Sequence, residues 1–347
     1  MIETVSLDDH ATMEQWDAFV DKHPNGTPCH LSGWLRALRD TYGFKESLHI
    51  DRDSSGINAV FPVFIVKRIL GAPHAVSLPF SDYGSVLAGP SFNPTELFET
   101  VLAPLKRSER SIELRGTVPE NTGFKKFDYY KRHILDLNIG LPAIEKKIDK
   151  RTIQYSIRKA EKAGIEVIEG KDEAAIDEFY RLNQLTRKKH GVPCQPKTFF
   201  KALQPTLLKN KGFILFARHE GRMVAASFFL ACGDQLFYKY NASDPEALRK
   251  LTPNHLITFQ AMCKANAEGF RLIDFGRTSP DNEGLMRYKA MWGMEATDLP
   301  YYYYPEIEGT ATTKEKGLKY RMITTAWRLM PDAVLDKLGP MIYRHLG

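Results

Sequence analysis

Apolar positions along the chain recur with two spacings, and the switches between them divide it into elements. Met13–Phe44, "MEQWDAFVDKHPNGTPCHLSGWLRALRDTYGF", predicts two short helices separated by a Pro-Asn-Gly loop, with Trp34, Leu35, Leu38 and Tyr42 on one side of the second. Three β-rich pieces follow: "SLHIDR", "INAVFPVFIVKRIL" and "HAVSLPF". "NPTELFETVLAPLKRS" reads as a helix with Asn93 as N-cap and Pro94 at its first position. Strand "SIELRG" comes next, and "KRHILDLN" closes this half.

A second unit with a similar order begins near Leu141. "PAIEKKIDKRTIQYSIRKAEKAG" is a basic helix or helix pair ended by Gly164. After strand "IEVIEG" come helix "DEAAIDEFYRLNQLTRKKHG" and helix "KTFFKALQPTLLKN", irregular at Pro205. "GFILFARHEGRMVAASFFLACG" folds as a hairpin at Glu220-Gly221 and is followed by strand "QLFYKYNAS". Helix "TPNHLITFQAMCKANAEG" has Thr252 as cap and Gly269 as stop, strand "RLIDF" follows, and "LPYYYYP" gives a last strand. The halves share an order of elements but no sequence repeat. The expectation is an α+β (α/β) fold of two related lobes with a ligand in the cleft between them.

Composition narrows the classes. The chain has 347 residues, 43% hydrophobic and 26% charged, which fits a globular protein of two domains rather than a disordered one. A formal charge of +6 suits phosphate-bearing ligands. The start "MIETVSLDDHATMEQW" lacks signal-peptide character, and no apolar run reaches the ~18–20 residues that span a bilayer. Cys29, Cys194, Cys232 and Cys263 are scattered without a CxxC pair, which points to a reducing cytoplasm. P-loop, GxGxxG and GxSxG signals are missing, and the ten histidines never take HxxxH spacing, so no metal is expected.

What remains is a basic, tyrosine-rich set. Lys146, Lys147, Lys150, Arg151, Arg158, Lys159 and Lys162 crowd one helical stretch, mostly as a solvated face paired with Glu145, Asp149 and Glu161. Arg158, among Ile153, Ile157 and Ala160, is the one expected to face a cleft or a phosphate. In "FYKYN", alternation puts Tyr238 and Tyr240 on one strand face, where core packing or a ligand would serve equally. "LPFSDYGSVLAG" places Asp82 and Tyr83 in a turn after a strand, for conformational reasons or for a ligand.

Taken in order, "R-x(6)-R-K-A-x-K-x-G" (151–164), the Y-x-Y strand, "DFGRT" and "GLMRYKAMWG" resemble the FemAB group of aminoacyl and acyl transferases in the GNAT superfamily. The likeness runs from about Trp16 to Pro305 and is nearest the branch associated with exopolysaccharide gene clusters, with Tyr288 where the family has Phe. It implies two tandem GNAT-like lobes, 1–140 and 141–308, around a central cleft, with 309–347 as a basic amphipathic tail. It also implies acyl transfer to an amine of a cell-envelope or exopolysaccharide precursor, without a covalent enzyme intermediate. The donor would be acyl-CoA or aminoacyl-tRNA, with no tightly bound cofactor.

Residue by residue, Lys289 matches the family lysine that serves donor phosphate or oxyanion, and Arg158 the basic helix that meets acceptor phosphates. Asp82 matches an acidic residue that orients the amine, with Tyr83 beside it, and Tyr238 and Tyr240 match tyrosines lining the cleft. Arg277 follows the turn at Gly276. Arg36 and Arg39 stand on the first-lobe helix where related transferases carry a phosphate-binding lysine. In place of the [QR]xxGx[GA] pyrophosphate loop of GNAT enzymes the chain has "ALRKLTPNHL", whose helix from Pro253 is expected to offer backbone N–H groups to an anion.

The tail carries Lys314, Lys316, Lys319, Arg321, Arg328, Lys337 and Arg344 beside Trp327, Leu329, Leu335, Leu338 and Ile342. It suits either a helix docked on the first lobe or contact of residues 314–347 with an anionic membrane, which would hold a cytoplasmic protein at the inner face of the cell membrane. A catalytically inactive GNAT-like scaffold for a phosphorylated glycan or peptide is the alternative function. Nucleic-acid binding is less favoured, because the aromatics do not interleave with the basic residues.

Overall fold

The structure, a computed structural model, describes residues 1–68, 72–108, 111–116, 122–305, 324–325 and 327–345. The described residues form two compact units, one drawn from Met1–Tyr129, Asp298–Arg321 and Leu338–Gly347, the other from Tyr130–Thr297 and Met322–Lys337. Among them no helix is long and apolar enough to cross a membrane, and no cluster of His, Cys, Asp and Glu could hold a metal ion.

The first unit opens with β1 (Ile2–Val5), α1 (His10–Lys22) and α2 (Ser32–Tyr42). Asp9 starts α1 by accepting from the Thr12 N–H, and Gly43 ends α2 in the left-handed region. Strands β2 (Lys45–Asp53), β3 (Gly56–Val66), β4 (His74–Val76), β5 (Leu87–Ala88) and β6 (Ser111–Arg115) make a mostly antiparallel sheet. The helical segment before β6 begins at Pro94 with Asn93 as its cap. It runs as α3 (Pro94–Leu97), a widened turn (Phe98–Leu102) and α4 (Ala103–Arg107). Trp16 and Trp34 are fully buried, and Trp16 Nε1 donates to the His30 carbonyl at 2.7 Å.

β4 and β6 are parallel over His74↔Ser111, Ala75↔Ile112 and Val76↔Glu113. Beyond that point Arg115 fills the space, donating through Nη1 to the Leu78 and Ser81 carbonyls at 3.0 and 2.8 Å. Its Nε bonds Glu113 at 2.6 Å. Burial pushes the Glu113 carboxyl up, but Arg115 and His74 overcome this and hold it at about 2.

The second unit contains β7 (Lys125–Asp136) from Tyr130 onward, α5 (Leu141–Lys147), a widened turn (Lys150–Gln154), α6 (Tyr155–Lys162), β8 (Glu166–Gly170) and α7 (Glu173–His190). Next come α8 (Lys197–Leu203), a widened turn at Gln204–Leu208 where Pro205 lacks an N–H, and α9 (Lys209–Lys211). The antiparallel run β8, β9 (Gly212–His219), β10 (Arg222–Cys232), β11 (Gln235–Ser243) includes the expected hairpin, with Glu220 and Gly221 both at positive φ. After α10 (Pro245–Leu251) and α11 (Pro253–Ala267), β12 (Leu272–Thr278) lies between β11 and β7. α12 (Glu283–Met291), β13 (Glu295–Tyr304) and α13 (Asp332–Tyr343) complete the described elements. The two sheet faces carry separate cores: Phe229, Ile257, Met262, Ile273 and Trp292 on one, and Phe179, Phe200 and Phe228 on the other.

Two strands pair with partners far away in sequence. Lys131–Asp136 of β7 bonds β12, and Tyr301–Tyr304 of β13 bonds β6. Local alternation identifies a strand but carries no record of a partner far away in sequence. In the tail, Lys314, Lys316, Lys319 and Arg321 lie outside the described residues. Of the described part, Trp327 is buried, and Tyr343 packs on Phe80 with ring centroids 4.8 Å apart.

Burial holds His30 and His49 at about 4, below the usual imidazole value near 6.5, so both are neutral when folded. His30 Nε2 then donates to the Ser85 carbonyl and Nδ1 accepts from Thr27 Oγ1. Between pH 6.5 and 4 the unfolded chain binds protons that the folded chain does not, so stability is complete above pH 6.5 and falls toward pH 4. Urea unfolding at pH 7 and pH 4.5 is expected to show a smaller loss in His30→Gln than in the parent. Equal losses would rule this out for His30.

Candidate functional site

β11 and β12 are parallel over only three pairs, Gln235↔Leu272, Leu236↔Ile273 and Phe237↔Asp274. Just beyond, both strands are irregular. On β11 the register against β10 shifts between Phe228↔Tyr240 and Phe229↔Tyr238, which leaves Lys239 as an extra residue. Tyr238 therefore stacks on Phe229 and meets the edge of Phe275, whereas Tyr240 packs on Phe179, Phe200 and Phe228 across the sheet. The expected shared face for the two tyrosines is corrected: one inserted residue inverts the alternation.

On β12 the register against β7 shifts between Asp274↔Ile134 and Arg277↔Arg132, with Gly276 at φ 66°. Asp274, 1% exposed, holds this bulge by accepting from the Gly276 N–H and from Arg132 Nε, each at 2.6 Å. "DFGRT" is thus a bulge within a strand. Lys289, 5% exposed, reaches it from α12, and its Nζ donates to the carbonyls of Phe275, Gly276 and Arg277 at 2.6, 3.1 and 3.5 Å. Burial, and then the Lys289 charge, hold nearby His133 at about 4. Trp292 is fully buried, and at Gly293 (φ 75°) a Cβ would come within 2.8 Å of Lys147 Cβ.

A polar cluster adjoins this region where α11 packs on the sheet. Ser227 Oγ lies 3.0 Å from Tyr238 OH and accepts from Asn241 Nδ2 at 3.2 Å, and Asn254 Nδ2 donates to Asn241 Oδ1 at 3.0 Å. Burial raises Tyr238 and Tyr288 above the usual phenol value, so both hydroxyls keep their protons, and burial lowers His255, which is neutral. Asn254 Oδ1, His255 Nδ1, Thr258 Oγ1 and Trp292 Nε1 are buried and have no hydrogen-bond partner among the described residues. Such atoms are costly unless water or a ligand completes them.

The stretch "ALRKLTPNHL" is largely helical. α10 is capped by Asp244, whose Oδ1 accepts from the Glu246 and Ala247 N–H groups, and Thr252 takes a left-handed φ of 53° before α11. The Thr252 hydroxyl does not cap α11 but donates to the Ser156 carbonyl at 2.9 Å.

The other residues singled out from the sequence fall in both units. Arg158 lies on the exposed face of α6 while Ile153, Ile157 and Ala160 point inward. The Arg277 guanidinium sits 4.5 Å from the centre of the Tyr130 ring. In the first unit Arg39 is engaged by Asp8 and Asp40, at 2.9 and 2.8 Å, and the Asp40 hydrogen bond leads in raising its pKa. Asp82 and Tyr83 are half-buried, and the Asp82 carbonyl accepts from Tyr301 OH. Sequence reasoning missed Ser227, Asn241, Asn254, His255 and Thr258. Their signal was available as Asn254 and Thr258, polar and one turn apart on a helix face that Ala261, Met262 and Ala265 continue as apolar.

With this arrangement in view, comparison with known proteins is informative. Residues 149–290 match the family model described as an acetyltransferase (GNAT) domain. The matched segment is similar to a GNAT domain. The structure resembles a crystal structure of FemX (TM-score 0.66, 16% identity, covering 87% of this chain and 96% of that one). It also resembles a tandem GNAT protein from the clavulanic acid biosynthesis pathway (TM-score 0.54, 14% identity, 87% and 97%). At these identities the likeness bears on fold, which is mixed α/β and GNAT-like. Over 87 residues the chain is 25% identical to UDP-N-acetylmuramoylpentapeptide-lysine N(6)-alanyltransferase from Weissella viridescens, covering 25% of this chain and 26% of that protein. Within the matched residues 149–290 lie both bulges, the polar cluster and Lys289.

Removing the Lys289 ammonium strips three buried carbonyls of a donor. Lys289→Met is expected to destabilise by roughly 2–4 kcal/mol, whereas Arg158→Ala stays within about 0.5 kcal/mol. Urea unfolding of the two variants measures the contrast. A silent Lys289→Met would refute the holding role.

Proposed function

We propose that the chain is a FemAB-like N-acyltransferase that moves an aminoacyl or acyl group from an activated donor to an amine of a cell-envelope precursor, a peptidoglycan or exopolysaccharide unit, in the cytoplasm. The observation that carries this reading is the divergence of β11 and β12 between two bulges, beside a buried polar cluster and a buried ammonium, within the segment similar to a GNAT domain. The amine attacks the donor carbonyl directly, negative charge grows on the carbonyl oxygen, and the leaving group departs with a proton. The requirements are positioning, donors aimed at that oxygen and a proton sink.

The residues supply candidates for these roles. Tyr238 keeps its proton and so remains a hydrogen-bond donor, Lys289 adds a fixed positive charge, and neutral His255 offers an imidazole nitrogen without a protein partner. In this reading the donor is an aminoacyl-tRNA rather than an acyl-CoA. α10, with the Asp244 carboxylate at its start, stands where a glycine-rich loop would grip a pyrophosphate, and a carboxylate there repels phosphate. The similarity to an alanyltransferase supports an aminoacyl rather than an acetyl group.

Purified protein supplied with alanyl-tRNA or acetyl-CoA and a UDP-linked muramoyl pentapeptide should give a mass-resolved N-acylated product with the tRNA donor. Lys289→Ala, assayed well below its unfolding temperature, should lower kcat/KM by roughly 10²-fold or more. Binding of the precursor with no turnover from either donor would favour a non-catalytic scaffold instead.

A further inference from the structure

A cavity with a cationic wall lies at the end of α7 in the second unit. Arg181, Gln184, Leu185, Arg187, Lys188, Val192, Cys194, Trp327 and Leu335 enclose a cavity of about 210 Å³. The tail builds one wall. Gly191 closes α7 at φ 70°, and a Cβ there would lie 2.3 Å from the Thr324 carbonyl oxygen, so the two backbones meet with no room between them. Trp327 is buried, and Arg328 donates to the His190 carbonyl at 3.4 Å.

The chemistry of the wall is one-sided. Leu185, Val192, Trp327 and Leu335 are apolar, three residues are cations, and among the described residues none that lines the cavity is acidic. Arg181 is already neutralised by Glu178 through two hydrogen bonds, at 3.0 and 2.6 Å. Arg187 differs: its Nε is buried without a hydrogen-bond partner among the described residues. Partial burial, and then Lys189, Arg187 and Arg328, lower the pKa of His190, which independently marks this end of the helix as electropositive.

We infer that this cavity binds an anionic amphiphile, a phosphate monoester or carboxylate joined to an apolar chain. The head meets Arg187 and Lys188, and the chain lies on Trp327, Leu185, Val192 and Leu335. A small hydrophilic anion would leave the apolar wall wet, and a neutral hydrocarbon would leave the Arg187 Nε–H unsatisfied. The volume falls below the ~300–1,000 Å³ of pockets that swallow a whole drug-sized ligand, so it suits a short chain or one end of a longer one. The inference does not depend on acyl transfer, because its test reads binding alone.

The probe is octyl phosphate below its micelle-forming concentration, titrated into the full chain by calorimetry and by tryptophan fluorescence. Octanoate, octanol and inorganic phosphate form the comparison arms. Octyl phosphate should bind at least ~10-fold more tightly than octanol or inorganic phosphate and weaken as salt is raised. Octanoate should match it if the site reads charge on a chain, and bind less tightly if the third terminal oxygen of a phosphate is needed. Arg187→Gln and Lys188→Gln should each weaken octyl phosphate by roughly 10-fold and leave octanol unchanged, with urea midpoints confirming the fold. Octyl phosphate binding no tighter than octanol, or binding in both variants as tight as in the parent chain, overturns the assignment.

Discussion

A buried ammonium group must find acceptors for its protons, and in this chain that demand shapes the end of a strand. Lys289 meets the carbonyls of Phe275, Gly276 and Arg277, which a regular strand would point alternately to its two sides. They can converge because β12 is bulged and Gly276 takes a positive φ, and the bulge is held from the other side by Asp274. Desolvating one charge costs several kcal/mol unless its hydrogen bonds are complete, so bulge, lysine and aspartate form one arrangement whose parts stand or fall together. α12 is fixed in place by the same contact, and with it Tyr288 and Trp292 against His255.

The two units solve the same geometric problem in different ways. Each has one parallel strand pair that ends after three residues, β4 with β6 and β11 with β12. In the first unit the guanidinium of Arg115 occupies the space that follows, bonded to Leu78, Ser81 and Glu113, and the arrangement is self-contained. In the second the charge is drawn back into the strand end, and the neighbouring side chains include buried polar atoms without protein partners. One version is complete as protein, and the other invites something else to complete it. That difference is a physical reason to look for chemistry in the second unit.

Much of the fold was legible because it rests on local physics. The helix starts at Asn93 and Pro94, the hairpin at Glu220-Gly221 and the inward stripe of α2 follow from capping, turn and periodicity rules that act over a few residues. What was not legible has one cause in common. The bulge at Lys239 and the partners of β7 and β13 depend on residues tens or hundreds of positions away. The burial of Lys289 was not readable either, since a lysine beside aromatics looks the same whether it faces solvent, substrate or its own backbone. The polar residues of α11 were in plain view but were absorbed into a helix that periodicity alone describes as core.

The bulge at Lys239 gives β11 two reading frames. Up to Tyr238 one parity of residue number faces α11, and after Lys239 the opposite parity does. Asn241 thereby joins Tyr238 on the polar side, where an uninterrupted strand would have put Tyr240. A single inserted amino acid thus determines which chemical groups surround Ser227 without any of them being replaced. Across relatives that keep this strand, the length of the segment between Tyr238 and Asn241 would govern the identity of that surface as strongly as its composition, and an alignment that closed the gap would pair residues facing opposite directions.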